Sequence, residues 1–128
     1  MRQIYLDDFY PNGAMFPMFT SLADSPDHAR GFFSLTDPVN SHTDIEDLVS
    51  SGYIVRTRAD SGGEEADNND TTRLIAALTS GAHSISTDYP AKVEGIDYWV
   101  EIPGGNPSRC NPVSAPPSCT SAFTSLVD

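Results

Sequence analysis

Two consecutive helix–glycine–strand units constrain the fold of this chain more than any other feature. In each unit an amphipathic segment stops at a glycine, first Gly52 and then Gly81, and an apolar run follows at once. Strands that are joined through a helix run parallel, and parallel strands are normally covered on both faces. This pattern predicts an α/β fold with two adjacent parallel strands and both helices on one side of the sheet. We expect the strands over residues 53–58 and 84–88 and the helices over residues 44–51 and 71–80.

The first of these strands carries two arginines on one side of its pleat. Arg56 and Arg58 are two positions apart, and side chains alternate between the faces of a strand with period two. An unpaired charge on a covered strand is costly, so arginines in such a place usually bind anions. The alternative is an edge strand that leaves both arginines in water.

Local signals place the remaining boundaries. Thr43 and Glu46 match a capping box at the start of the first helix, and Asp70 is placed to cap the second. Alternating or continuous apolar runs predict two further strands. These strands are expected over residues 14–19 and 97–102, with irregular connections over residues 21–42, which include an apolar patch at 31–35, and over residues 61–69.

Charge and length exclude several classes of protein. The 128 residues fit one small domain, and the formal net charge of −11 argues against a general nucleic-acid binder. The same charge argues against simple electrostatic attachment to an anionic membrane. No apolar run approaches the ~18 residues that a transmembrane helix needs, and the first residues contain no stretch typical of a signal peptide.

Cys110 and Cys119 are the only cysteines, and the segment between them is rich in proline and serine. A disulfide that closes this loop would add roughly 2–3 kcal/mol of stability and would favour an oxidising, extracellular setting. Two free thiols in a cytosolic tail are the alternative. A zinc site is disfavoured because no second Cys or His pair lies at a suitable spacing.

With these elements placed, the chain resembles the C-terminal part of the calcium-dependent phosphoinositide-specific phospholipase C family, within the phospholipase-C-like phosphodiesterases. The resemblance covers roughly residues 10 to 120. Its most specific part lies between residues 52 and 90. The matching blocks are GYIVRTRAD at 52–60, NDTTR at 69–73, SGAHSISTDYP at 80–90, IPGG at 102–105 and RCNPV at 109–113.

The resemblance implies a distorted (β/α)8 TIM-type barrel, of which this chain would supply about the last three strands. Residues 1–103 would be the C-terminal portion of the barrel and residues 104–128 an irregular, disulfide-tied tail. A closed barrel of this type needs at least ~200 residues. The chain as given is therefore expected to be an incomplete barrel.

The implied function is that of a fragment of a phosphoric diester hydrolase that acts on phosphoinositides or related lipid phosphodiesters and is inactive alone. Calcium is the cofactor implied for the full-length family, and no calcium or other metal ligands are expected in this chain. The secreted setting follows from the cysteines. The alternative is a secreted non-catalytic remnant or ligand-binding domain that lacks the catalytic histidines.

Catalytic groups in such barrels lie at the carboxyl ends of the strands. Arg58 and Asp60 are the expected catalytic residues: the arginine would stabilise charge on a phosphate, and the aspartate would orient a histidine or pair with the arginine. Tyr89, Arg56 and Asp88 are the expected substrate-binding residues, with the tyrosine ring stacked on inositol. For Asp88 the alternative is a carboxylate that only accepts backbone hydrogen bonds in a turn.

The other titratable residues give weaker signals. His28, His42 and His83 do not match the catalytic histidines of the family and are expected to be structural or exposed. The acidic segment 64–67 lacks the spacing of an EF-hand, so a solvated loop is expected there rather than a calcium site.

Overall fold

The computed structural model describes residues 31–105 and 108–119 of the chain. The strand predicted over residues 14–19 lies outside the described residues. The described elements follow in the order strand, helix, strand, helix, helix, strand. They are β1 (Phe32–Ser34), α1 (His42–Ser50), β2 (Ile54–Arg58), α2 (Glu64–Asn68), α3 (Thr72–Thr79) and β3 (Ser84–Ser86).

The three strands form one parallel sheet in the order β1-β2-β3. Val55 of β2 pairs with Phe33 on one side, and Thr57 of β2 pairs with Ile85 on the other. The predicted parallel pair is therefore confirmed. The interpretation of residues 53–58 as an edge strand is wrong, because β2 is the central strand of the three.

The apolar patch at residues 31–35 is a strand rather than an irregular connection. Backbone hydrogen bonds extend its pairing at both ends: the Ile54 N–H donates to the Gly31 carbonyl and the Leu35 N–H to the Arg56 carbonyl, each at 3.0 Å. Three residues are too few for periodicity to indicate a strand. Its neighbour β2, which follows in the chain only after α1, supplies the hydrogen bonds that make it one.

The apolar core lies between the sheet and the helices. Ile45 and Val49 of α1 are buried against Val55 of β2, and α3 also contacts β2. Nε2 of His42 lies 3.0 Å from Oγ1 of Thr79, which joins α1 to α3. The two helices are therefore neighbours on one side of the sheet, as predicted.

Both helices stop at the glycines that the sequence indicated. Gly52 has φ +86° and Gly81 has φ +80°, in the left-handed region that favours glycine. After α1 the Gly52 N–H donates to the Val49 carbonyl and the Tyr53 N–H to the Leu48 carbonyl, both at 3.0 Å. These two bonds form a Schellman motif, and β2 begins directly after it.

The predicted capping box at Thr43 and Glu46 is wrong. The first helix begins at His42, two residues earlier than that motif requires, and the preceding Ser41 makes no side-chain capping bond. The carboxylate of Asp37 instead accepts the backbone N–H groups two and three residues ahead of it, at 3.2 and 3.3 Å. This turn sets the start of the helix and leaves the threonine inside it.

The polar connection over residues 61–69 contains the short helix α2, which the sequence did not indicate. Its start follows Gly63 at φ +88° and its end is Asn69 at φ +49°, so two left-handed residues enclose a single helical turn. The next helix begins at Thr72, one residue later than predicted, so Thr71 and not Asp70 is its N-cap residue. The Asp70 carboxylate still accepts the Thr72 N–H, at 2.8 Å.

Residues 97–102 do not form the predicted strand. Tyr98 is buried, and its hydroxyl donates to the Ala59 carbonyl at 3.0 Å. The Val100 N–H donates to the Tyr89 carbonyl at 2.9 Å. One side-chain anchor and one backbone bond hold this segment, so the alternating pattern reflects the burial of a single tyrosine and not a ladder of strand hydrogen bonds.

The tail is closed by a disulfide between Cys110 and Cys119, as predicted. It packs on the end of α3, where Asn111 Nδ2 donates to the Gly81 carbonyl at 2.6 Å and the Arg109 guanidinium donates to the Leu78 carbonyl. No helix within residues 31–105 and 108–119 is long and apolar enough to cross a membrane.

Candidate functional site

The carboxyl ends of β2 and β3 bring the predicted site residues together. Arg58 is the last residue of β2, and Asp60 follows two residues later. Arg58 pairs in register with Ser86, the last residue of β3, so the two strands end side by side. Asp88 and Tyr89 follow β3 after Thr87 and lie at the same edge of the sheet.

Asp60 is fully buried and is hydrogen-bonded within the chain. Its Oδ1 accepts the backbone N–H of Asp88 at 3.0 Å, and its Oδ2 accepts the hydroxyl of Thr87. Its distance to Arg58 Nη2 is 3.8 Å, which makes that pairing a weak one. Asp60 therefore ties the segment after β3 to the end of β2.

Arg58 makes its close ion pair with Asp88. Nη2 of the arginine lies 2.9 Å from Oδ2 of the aspartate, and the two side chains are 30% and 59% exposed. The Asp88 carboxylate thus accepts a hydrogen bond from a side chain. The alternative prediction, that it only accepts backbone hydrogen bonds in a turn, is wrong. Nε of Arg58 is buried and has no hydrogen-bond partner among the described residues.

Arg56 lies one layer deeper on the same face of β2. Its Nη1 donates to Ser34 Oγ at 3.3 Å, and its Nη2 donates to Ser86 Oγ at 2.9 Å. One guanidinium therefore spans all three strands. The two serine hydroxyls lower the cost of placing its charge on a half-buried sheet face.

Tyr89 is positioned by an aromatic neighbour and by a glycine turn. Its ring meets Tyr98 edge-on, with centroids 5.5 Å apart and an interplanar angle of 90°. A β-carbon at Gly63 would lie 3.2 Å from the Tyr89 hydroxyl, so this turn passes close to the tyrosine.

Burial, together with the negative charges of Asp60 and Glu65, raises the pKa of Tyr98 to about 12, which keeps its hydroxyl neutral and able to donate.

A buried ion pair beside the site was missed by sequence reasoning. Glu65 Oε1 accepts Arg73 Nε at 2.7 Å, Glu65 Oε2 accepts the Ser61 N–H at 2.8 Å, and the arginine also donates to the Thr36 carbonyl at 3.1 Å. Burial raises the pKa of Glu65, but the hydrogen bonds from the Ser61 N–H and from Arg73 outweigh it and leave that pKa below its usual value. The expectation of a solvated acidic loop is wrong at this residue. The sequence did contain one signal for this ion pair. Arg73 lies near the start of a predicted helix, in a chain with only seven lysines and arginines.

The described histidines lie away from this edge. His83 precedes β3, at the opposite end of the strand, and its Nδ1 accepts the Val55 N–H at 3.3 Å. His42 is on α1, bonded to Thr79. Both are structural here, and His28 lies outside the described residues.

The family model for calcium-dependent phosphoinositide phospholipase C matches residues 12–112. The chain belongs to this family. The matched residues include all five predicted site residues and extend past Cys110 into the tail. No curated protein and no solved structure matches the chain.

The described part of this family member does not fit the calcium ion that its family uses. Calcium takes six to eight oxygen ligands. Asp60 accepts two hydrogen bonds, while Asp88 and Glu65 are each paired with an arginine. Within residues 31–105 and 108–119 no three or more acidic, histidine or cysteine side chains converge.

A separate groove of about 680 Å³ lies along the outer edge of β3. Ile85 of the strand, Val100 and Ile102 of the following segment, and Arg109 of the tail are among its lining residues. Neither Arg58, Asp60 nor Tyr89 contributes to it. The groove is therefore distinct from the candidate site.

Proposed function

We propose that this chain provides the phosphate-binding side of a phospholipase C site for phosphoinositides or related lipid phosphodiesters. The observation that carries the proposal is the guanidinium of Arg58 at the carboxyl edge of a parallel sheet, paired with Asp88, the residue before Tyr89. A guanidinium presents a rigid fork of donors that suits phosphate oxygens. Family membership supplies the class of substrate.

Each site residue has a role in this proposal that its contacts support. Arg58 binds an oxygen of the phosphodiester and offsets the charge that develops there, and Arg56 adds positive charge one layer below. Tyr89 presents its ring to the inositol. Asp60, through its bonds to Thr87 and Asp88, holds the segment after β3 in place.

The proposal assigns no turnover to this chain by itself. Attack by the inositol 2-hydroxyl, the reaction implied by the family, needs a general base and a general acid, each typically worth roughly 10²–10⁴-fold. The described histidines are not at the site. We propose that these groups come from the remaining strands of a (β/α)8 barrel, of which residues 1–103 are a part and to which residues 104–128 are a tail. Three parallel strands in sequential order support this arrangement.

A secreted setting is part of the same proposal. The disulfide between Cys110 and Cys119 supports it, because such bonds persist in oxidising compartments.

The experiment is a titration of the full 128-residue chain with glycerophosphoinositol, a soluble phosphodiester headgroup, followed by NMR. Arg58→Ala should weaken binding about tenfold, because a charge-assisted hydrogen bond is lost, and Tyr89→Ala should also weaken it. Lys92→Ala is the matched control: this lysine lies over the Trp99 ring, so the change removes one positive charge outside the site. Equal effects of the arginine and lysine changes would contradict the proposal.

Vesicles that contain phosphatidylinositol provide the second readout. We expect no hydrolysis above background by this chain alone. Turnover that depends on Arg58 would show that the described edge is a complete active site.

The second candidate is a secreted ligand-binding domain without catalysis, favoured by the absence of a histidine from the described edge of the sheet. Sequencing transcripts upstream of the Met1 codon separates the two. An in-frame extension that encodes further barrel strands with two histidines would support the enzyme, and a start codon preceded by stop codons would support the binding domain.

A further inference from the structure

The carboxylate of Asp88 occupies the solvent side of Arg58. Its Oδ2 lies 2.9 Å from Nη2, and 59% of the aspartate side chain is exposed. The backbone N–H of the same residue is held at 3.0 Å by the fully buried Asp60. The buried Asp60 thus fixes the backbone of Asp88, and from that backbone the exposed Asp88 carboxylate reaches Arg58. The fold therefore holds the ion pair between Asp88 and Arg58 in place.

A phosphate that binds Arg58 therefore meets a negative charge already in place. Exposed ion pairs are weak, so an anion can displace or share this partner. The repulsion between Asp88 and the ligand grows with the charge of the ligand. A phosphodiester carries one negative charge, whereas a phosphomonoester carries between about 1.5 and 2 at pH 7.

We propose that Asp88 makes the Arg58 site selective for singly charged phosphodiesters over doubly charged phosphomonoesters. This inference rests on the proposed function, in which Arg58 binds the phosphate. It gives the carboxylate a role in specificity: the diester substrate of a phospholipase C is accepted, and a phosphomonoester is held less tightly.

Coulomb's law sets the expected size of the effect. One unit charge about 4 Å from another in water changes a binding constant about fivefold. Removal of the Asp88 charge should therefore tighten diester binding about fivefold. The gain for a doubly charged monoester should be about the square of that factor, roughly 25-fold.

The experiment compares methyl phosphate with dimethyl phosphate as probes on the full chain, at pH 7.5 and low salt, where charges are least screened. Affinities are read by NMR from the Arg58 Nε–H and the Asp88 backbone N–H. Asp88→Asn and Asp88→Ser should both shift the ratio of affinities about fivefold towards methyl phosphate. Asp88→Glu keeps the charge and should leave the ratio near that of the natural chain.

Asp47→Asn is the control for total charge, because this exposed aspartate lies on α1 and makes no side-chain contact among the described residues. It should change neither affinity. If Asp88→Asn and Asp88→Ser raise the affinity for both probes equally, or raise neither, Asp88 has no role in selectivity. That result would leave the phosphate site at Arg58 unaffected. If Arg58→Gln leaves both affinities unchanged, the phosphate site itself is refuted.

Discussion

At the scale of single residues, two aspartates near one arginine have different roles because their surroundings differ. Asp60 is buried and accepts two hydrogen bonds from the chain, so its removal leaves two partly buried donors without their acceptor. Asp88 is exposed and paired only with Arg58 through its side chain, so its loss costs the fold little. The first holds the site together, and the second acts on the ligand.

Asp60→Ala should lower the free energy of unfolding by about 3 kcal/mol, because the Thr87 hydroxyl and the Asp88 N–H both lose a charged acceptor in a partly buried place. Asp88→Ala is the matched control and should cost about 0–1 kcal/mol. Urea denaturation measures both values. Similar small losses in the two variants would show that the buried carboxylate does not hold the segment after β3.

At the scale of elements, α2 and α3 are joined by the ion pair between Glu65 and Arg73, which also reaches the turn after β1 through Thr36. Because the pKa of Glu65 is lowered in the folded chain, the stability from its charge is complete above its ordinary pKa of 4.5. That stability is lost as the pH falls through the lowered pKa.

Glu65→Gln should therefore cost about 2 kcal/mol at pH 7, because the hydrogen bond from Arg73 loses its negatively charged acceptor. Below pH 4.5 the natural chain should lose stability more steeply than the variant, so the two curves should converge. Glu64→Gln changes an exposed neighbour and serves as the control. Thermal unfolding at a series of pH values measures the stability of each chain. Stability curves that stay parallel for the natural chain and Glu65→Gln would contradict the prediction.

The two glycines that end α1 and α3 provide a second test at this scale. Gly81→Ala should cost more than Gly52→Ala. The two glycines have similar φ angles, +86° at Gly52 and +80° at Gly81. A β-carbon at Gly81 would lie 2.5 Å from Val113 Cγ2, whereas a β-carbon at Gly52 would have nothing within 4 Å. Backbone strain is about 1 kcal/mol in each variant, and the clash should add about 1–3 kcal/mol at Gly81 alone. Equal losses in chemical denaturation would show that the tail does not pack on the end of α3.

At the scale of the whole molecule, the disulfide loop connects the tail to the sheet and helices. Cys110 and Cys119 enclose Asn111 and Val113, which lie against Gly81 at the end of α3. The loop therefore covers a helix end as well as closing on itself.

Replacement of both cysteines by serine should lower the free energy of unfolding by about 2–3 kcal/mol, the loop-entropy value for a separation of nine residues. Calorimetry of the oxidised chain, the reduced chain and the double variant measures it. The reduced chain should match the double variant. Unfolding at the same temperature in all three samples would show that the bond contributes nothing to the fold.

Local signals were sufficient for several parts of this fold. The parallel pair, the helix stops at Gly52 and Gly81, and a bond from Asp70 to the start of α3 were predicted because each depends on local sequence signals. The same holds for the disulfide, since only two cysteines were present to pair. The clustering of the site residues also followed, because parallel strands end at a common edge.

Sequence alone determined which residues reach this edge, and the tertiary structure decided what each of them contacts there. Strand β1 exists because β2, beyond a whole helix, completes its hydrogen bonds. Residues 97–102 fail to form a strand because the buried Tyr98 bonds to a carbonyl 39 residues away. Glu65 and Asp88 are both acidic residues in polar segments, yet one is buried against Arg73 and the other covers Arg58. The physical reason is that the role of a charged side chain depends on its ion-pair partner and on its burial. Both the partner and the burial depend on distant segments that only the fold brings together.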